Sequence, residues 1–229
     1  MDVPTFCVLT GRGPTHQNVG MIADGADISS HHTADLLRLR RAGFGAFFRP
    51  AQVTDAGLTR DQLRAMVRRG SVEHVGRGLY RLTDAEPTEH YSLAMACARV
   101  PNSIVCLLSA LSVHGIGTQA PDAVWLAIGH KARKPRLREL RLRIVRFSGP
   151  AWTFGVKETA FEGVPARITS PARTVVDCFR FERLMGPEAP MEALQDALSR
   201  RLVTIAELSR VEEVLPSRRL RAQLDRRSI

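Results

Sequence analysis

Cysteine, lysine and long apolar runs are all scarce in this chain, and each shortage removes a class of answer. Cysteines stand only at positions 7, 97, 106 and 178 of 229 residues. None is at metal-ligand spacing from another, and so sparse a set does not make a secreted disulfide scaffold. Buried or partly buried free thiols in a reducing cytoplasm account for them, so a cytoplasmic location is expected. No stretch is long and apolar enough to span a bilayer, and no charged-then-apolar leader appears, so no membrane role is expected. Internal repeats at solenoid spacing and low-complexity tracts are also missing. Lysine supplies only 3 of the 33 basic residues. The others are arginine, whose planar fork suits phosphates and base edges, although genomic base composition produces the same bias.

What is present is basic charge, unevenly placed. The formal net charge is +10. Residues 33–84 carry a net +5, residues 131–146 a net +7 and residues 218–229 a net +4, against −6 for everything else. Sign asymmetry of this kind points to a polyanionic partner. The length accommodates two small domains of ordinary core-forming size.

The first basic block contains the most readable stretch, FRPAQVTDAGLTRDQLRAMVRRGSVEHVGRGLYRL at 48–82. Arg49-Pro50 opens a helix, since proline is tolerated at a first helical position. Ala56-Gly57-Leu58 supplies a turn, with Gly57 free to take a positive φ. Thr59 is an N-cap, Gln62 completes a capping box, and Gly70 stops the second helix. Leu63, Met66 and Val67 form its apolar stripe. Arg64 and Arg68 point away from that stripe, with Asp61 and the small Ala65 alongside and Arg60 on the flank. Two β-prone runs, 72–75 and 79–82, then surround a Gly76-Arg77-Gly78 turn. Helix, turn, helix and hairpin in this order are the pattern of a winged helix-turn-helix, whose usual partner is duplex DNA. The candidate DNA-binding residues are Thr59, Arg60, Arg64, Arg68, Arg69, Arg77 and Arg81. Arg64 and Arg68 are expected in the major groove, Arg60, Arg69 and Arg81 nearer the backbone, and Arg77 at the wing tip.

The flanking regions are read more coarsely. Residues 1–32 lack a sustained period and are expected to be a disordered arm or an over-called start, with Met21 as the alternative start. A helix is expected over 33–41, with Leu36, Leu37 and Leu39 facing the core. After a polar joint at 83–90, helices are expected over 91–100 and 103–114, and strands over 124–128, 142–147, 157–161 and 165–169. Ser170 caps a further helix in which Arg173 pairs with Asp177. Helices over 191–201 and 204–215 close this region, leaving a basic tail at 218–229. In the second basic block Leu140, Leu142 and Ile144 are expected to face the core, and Arg141, Arg143 and Val145 to face outward. Lys131, Arg133, Lys134 and Arg136 form a candidate anion-binding patch. The alternative is a charged sheet edge that discourages aggregation.

GLTRDQLRAMVRRGSVEHVGRGLYRL at 57–82, LLSALSVHGI at 107–116 and ITSPARTVVDCFRF at 168–181, in this order, resemble the AbiEi-type antitoxins of bacterial type IV toxin–antitoxin systems. The resemblance runs over about residues 33–215 and leaves both ends unmatched. It implies an α+β protein, with a winged helix-turn-helix at 33–84 followed by a mixed α/β antitoxin domain at 85–217. It further implies a repressor that binds inverted repeats in its own promoter and opposes a nucleotidyltransferase toxin without a stable complex. A unit this small reads few base pairs, so a homodimer on repeated half-sites is expected.

Enzyme readings fare worse. A nuclease would need acidic residues and a lysine gathered around metal ions, but Asp122 precedes a strand with no Glu-x-Lys, and Lys157-Glu158 runs in the reverse order. Ser170, His130 and Asp177 lack a strained glycine-flanked nucleophile turn. His31-His32 have no partner at ligand spacing. No enzymatic activity, metal or cofactor is expected. The alternative function is a winged-helix regulator whose second domain senses or assembles, with no toxin partner.

Overall fold

A computed structural model describes residues 25–42, 47–76, 78–86 and 88–227, residues 25–32 by their backbone alone. Arg77, Cys7, Met21 and most of the expected N-terminal arm lie outside the described residues. Helix α1 (Gly25–Arg41) starts earlier than residue 33, so it reaches back into the stretch read as an arm. A short strand β1 (Phe47–Phe48) leads to α2 (Pro50–Asp55), α3 (Arg60–Arg68) and the hairpin strands β2 (Val72–Gly76) and β3 (Leu79–Leu82).

Local chemistry fixes these boundaries. Pro50 occupies the first turn of α2, and Gly57 takes a φ of 74° in the turn between the helices. At the start of α3 the Thr59 hydroxyl accepts from Gln62 N at 3.2 Å, and Gln62 Oε1 accepts from Thr59 N at 2.8 Å. That is the reciprocal capping box the spacing predicts. Strand β1 is not foreshadowed by the residues around it. It pairs antiparallel with β3, giving the order β1-β3-β2. Leu39, Phe48, Val53, Leu58, Leu63, Met66, Val72 and Leu82 form one core beneath this sheet. Each such side chain contributes roughly 1.5–3 kcal/mol by leaving water.

The rest of the chain builds a second, five-stranded sheet. Its elements are α4 (Tyr91–Arg99), β4 (Ile104–Val105), α5 (Leu107–His114), β5 (Val124–Gly129), β6 (Leu142–Phe147), β7 (Val156–Phe161) and β8 (Val164–Thr169). They are followed by α6 (Pro171–Arg180), α7 (Glu182–Met185), α8 (Glu188–Ser199), α9 (Ile205–Val214) and α10 (Arg218–Asp225). The strand order is β6-β5-β4-β8-β7. Pairs β5/β6 and β4/β8 are parallel, while β4/β5 and β7/β8 are antiparallel.

Three expectations are corrected here. The helix expected from residue 103 starts only at Leu107, because Ile104 and Val105 form β4 between β5 and β8. Cys106 is extended and Leu107 has a φ of 51°, which makes the corner from strand to helix. Pairing with distant strands overrode the helical spacing of Ile104, Leu107, Leu108 and Leu111. The stretch read as a basic tail is α10, capped by Ser217, with Leu220 and Leu224 buried. Val145 is buried rather than outward, because both faces of the sheet are covered.

That covering explains strand β5. Trp125 and Ala127 join Val145 and Phe147 in one apolar cluster with residues of α6, α8, α9 and α10. Val124, Leu126 and Ile128 join Val105, Ile168 and α4 in another. A strand sandwiched in this way reads as a continuous apolar run. The second cluster also takes in Phe47 and Leu79, which joins the first sheet to α4. Arg49 Nη2 donates to Ala98 O at 2.9 Å across the same junction.

Candidate nucleic-acid interface

Helix α3 separates its residues by face. Leu63 and Met66 are 3% and 1% exposed and anchor the helix on the core. Gln62 Nε2 donates to Asp35 Oδ1 at 3.2 Å, which ties α3 to α1. Thr59, Arg60, Arg64, Arg68 and Arg69 are all exposed. Arg60, Arg64 and Arg68 are four residues apart, so they share one stripe of the helix. Arg64 Nη1 lies 3.0 Å from Asp61 Oδ1, both side chains being largely in water. An exposed pair of this kind is worth about 0.2–1 kcal/mol, so Arg64 can exchange it for another anion. Thr59 has its hydroxyl in the cap, where it orients the helix.

Arg81 is placed differently from the expectation. It is buried in the middle strand β3, with Nη1 3.4 Å from Glu73 Oε1 and Nη2 donating to Ala85 O. Its guanidinium lies 5.3 Å from the centre of the Tyr91 ring. These partners hold it in the junction between the sheets, away from a backbone-contacting role. The signal was hidden because β3 becomes a middle strand only through β1. Arg77, expected at the hairpin tip, lies outside the described residues.

Lys131, Arg133, Lys134 and Arg136 are exposed in the connection between β5 and β6. That connection is braced by Arg146, whose Nη1 donates to the carbonyls of Gly129, His130 and Ala132. Arg143 stands over the Trp125 ring at 5.9 Å. The basic connection leaves the sheet at β6, whereas the first sheet meets the second unit through α4. These two groups of basic residues are therefore carried by separate parts of the molecule.

Ser170 and Asp177, two of the groups weighed as catalytic, have structural partners. Ser170 Oγ accepts from Arg173 N at 3.4 Å as a helix cap. Asp177 is buried between Arg173 Nε and Arg180 Nη1, each 2.7 Å away. Arg173 also donates to Phe154 O and, at 3.0 Å, to Ala151 O. Burial pushes the Asp177 carboxyl up, and the two guanidiniums oppose that push. His114 ends α5, where its Nε2 lies 2.7 Å from Thr169 O. Burial holds His114 below its ordinary value, the bond to Thr169 O partly opposing this. Cys97, Cys106 and Cys178 are buried and free. Burial raises the Cys97 thiol to about 12, so it remains protonated. Among the described residues no group of three or more His, Cys, Asp or Glu is placed to hold a metal ion, and no helix is long and apolar enough to cross a membrane.

These features define a mixed α+β protein in which an arginine-bearing helix is displayed by a small N-terminal sheet. Residues 35–83 match the family described as transcriptional regulator, AbiEi antitoxin. This is the family resembled by the three motifs; the match covers the first motif, and the other two lie outside it. The crystal structure of the RV2827C protein from Mycobacterium tuberculosis has a similar fold, with a TM-score of 0.53. The likeness covers 80% of this chain and 71% of that chain at 16% sequence identity, and it concerns the fold alone. No curated protein matches the chain.

Proposed function

We propose that this chain is a DNA-binding antitoxin that represses its own operon. In this reading residues 33–84 are a winged helix-turn-helix, α3 is its recognition helix and β2–β3 its wing. The observation that carries the reading is the stripe of exposed Arg60, Arg64 and Arg68 on a helix whose opposite face is buried. Arginines displayed in this way fork onto guanine edges in a major groove or pair with phosphates. Arg64 and Arg68 read bases, while Arg60 and Arg69 hold the backbone. Arg77 follows the wing into a minor groove or onto a phosphate. The family match supports DNA binding and a toxin partner in general.

The finer assignments are part of the same proposal. The second unit, from residue 85 through α10, opposes a nucleotidyltransferase toxin, and the chain acts in the cytoplasm without enzymatic activity of its own. Two copies bind an inverted repeat in the chain's own promoter, which multiplies the short reading length of one unit. Mobility shifts of the full chain on its upstream DNA test the reading. Cooperative binding to a repeated half-site is the expected result, and one isolated site bound without cooperativity refutes the paired arrangement. A second reading, a regulator with no toxin partner, is favoured by the confinement of the family match to residues 35–83. Co-expression with a neighbouring nucleotidyltransferase separates the two: protection supports the antitoxin reading, and unrelieved toxicity supports the regulator.

A further inference from the structure

The five-stranded sheet has an outer strand equipped for a partner. β6 has β5 as its neighbour, in parallel register from Val124↔Leu142 to Gly129↔Phe147. Along such a ladder the main-chain groups of successive residues point to alternate sides. Val124 N donates to Arg141 O at 2.9 Å, so the main-chain groups of Leu142, Ile144 and Arg146 face away from β5. Beside this edge lies a groove of about 500 Å³ whose lining includes Trp125, Lys134, Arg141, Arg143, Ile144 and Leu184. Leu184 is 53% exposed, the most exposed large apolar side chain among the described residues. Trp125 is 3% exposed, and its indole Nε1 has no hydrogen-bond partner. Buried indole N–H groups normally find an acceptor, and an unanswered one costs free energy.

We propose that this edge receives an acidic, extended segment of another protein, in which carboxylates alternate with apolar side chains. The segment adds a strand to β6. Its carboxylates meet Lys134, Arg141 and Arg143 with their methylene stems along Leu184 on the Trp125 face, and its apolar side chains cover Leu142 and Ile144 on the other face. Arg143, drawn off the Trp125 ring to a carboxylate, lets an oxygen of the segment answer Trp125 Nε1. A period of two in the segment matches the alternation of the edge. Charge complementarity selects this occupant. A second copy of the chain would set one basic rim against another. A nucleic acid would leave the main-chain ladder unanswered and gain nothing from Leu184. Trp125 offers no stacking platform, because it is buried and Arg143 stands over its ring. The proposal is independent of the DNA reading of α3.

The test uses the full chain and a fluorescein-labelled octapeptide, Glu-Leu-Glu-Val-Glu-Leu-Glu-Val, followed by fluorescence anisotropy. Saturable binding is expected, weakened at least tenfold by Leu184→Asp and by Lys134→Glu. Both side chains are exposed, so superimposable thermal melts should show the fold intact. Methylating alternate peptide amides on the ladder-facing edge should weaken binding tenfold, while methylating the opposite edge should not. Replacing the glutamates with lysine should abolish it. Operator binding by α3 should be unaffected by Leu184→Asp. Failure to bind at millimolar peptide, or equal binding of the two methylated peptides, overturns the proposal. Tighter binding of a single-stranded decauridylate, insensitive to Leu184→Asp, also overturns it and makes the edge a nucleic-acid surface.

Discussion

The ion pair between Arg64 and Asp61 makes the recognition-helix reading quantitative. Both side chains are in water, 72% and 87% exposed, and the contact is 3.0 Å. Such a pair contributes about 0.2–1 kcal/mol, whereas a guanidinium forked onto a base contributes about 1–3 kcal/mol of discrimination. Arg64 must give up the first to make the second. Arg64→Ala should therefore weaken operator binding by about 1–2 kcal/mol, or roughly 5- to 30-fold. Asp61→Asn should act in the opposite direction, by up to about 1 kcal/mol, because it frees Arg64 and removes a negative charge facing the phosphates. In the double variant the gain from Asp61→Asn should shrink, since its main beneficiary is gone. Anisotropy titrations on the upstream DNA at fixed salt measure all four corners of the cycle. The exposed positions should leave folding stability within about 0.5 kcal/mol. Unchanged affinity in an Arg64/Arg68 double alanine variant would refute α3 as the reading helix. A full Asp61→Asn gain in the absence of Arg64 would refute the competition between pair and base.

Other perturbations address the scaffold and its dependence on pH. Asp177→Asn removes the charge partner of Arg173, which is buried completely, and should cost about 3–5 kcal/mol in urea unfolding; an unchanged midpoint would show that the network is dispensable. Gly155→Ala should destabilise the fold by more than about 1 kcal/mol, because Gly155 has a φ of +65° and its Cβ would lie 2.9 Å from Arg173 Cβ; a melting temperature equal to that of the native chain contradicts this. Thr59→Ala should cost about 1 kcal/mol through the lost cap, with Thr59→Ser restoring most of it in thermal melts. His114 is held below its ordinary value of 6.5 by burial, so the unfolded chain takes up its proton first. Its contribution to stability is complete above 6.5 and is lost as pH falls from there through the lower folded value; NMR titration should show the depressed midpoint, and a midpoint at 6.5 would abolish the effect while one above it would reverse the sign.

The parts of this protein legible in its sequence are those decided within a few residues along the chain. Thr59 with Gln62, Ser170 as the cap of α6, and the Arg60–Arg64–Arg68 stripe are local geometry, since caps and helix faces depend on offsets of three and four. Hence α3, α6 and α9 start where spacing predicts. The candidate reading helix was legible for the same reason. What the sequence concealed depends on neighbours brought from far away. β1 and β4, two residues each, exist only through their pairing with distant strands. Arg81 looked like a backbone-contacting arginine until β1 made β3 a middle strand and Tyr91 closed over it. Val145 looked outward until helices covered the second face of the sheet, and α10 looked like a tail until Leu220 and Leu224 found a core. The outer position of β6 and the unanswered Trp125 donor belong to that second group. By itself the sequence determined where the locally capped helices α3, α6 and α9 begin and which side chains α3 displays; tertiary structure decided where the other helices start and that Arg81 leaves water, because burial is set by whatever the rest of the chain lays against a residue.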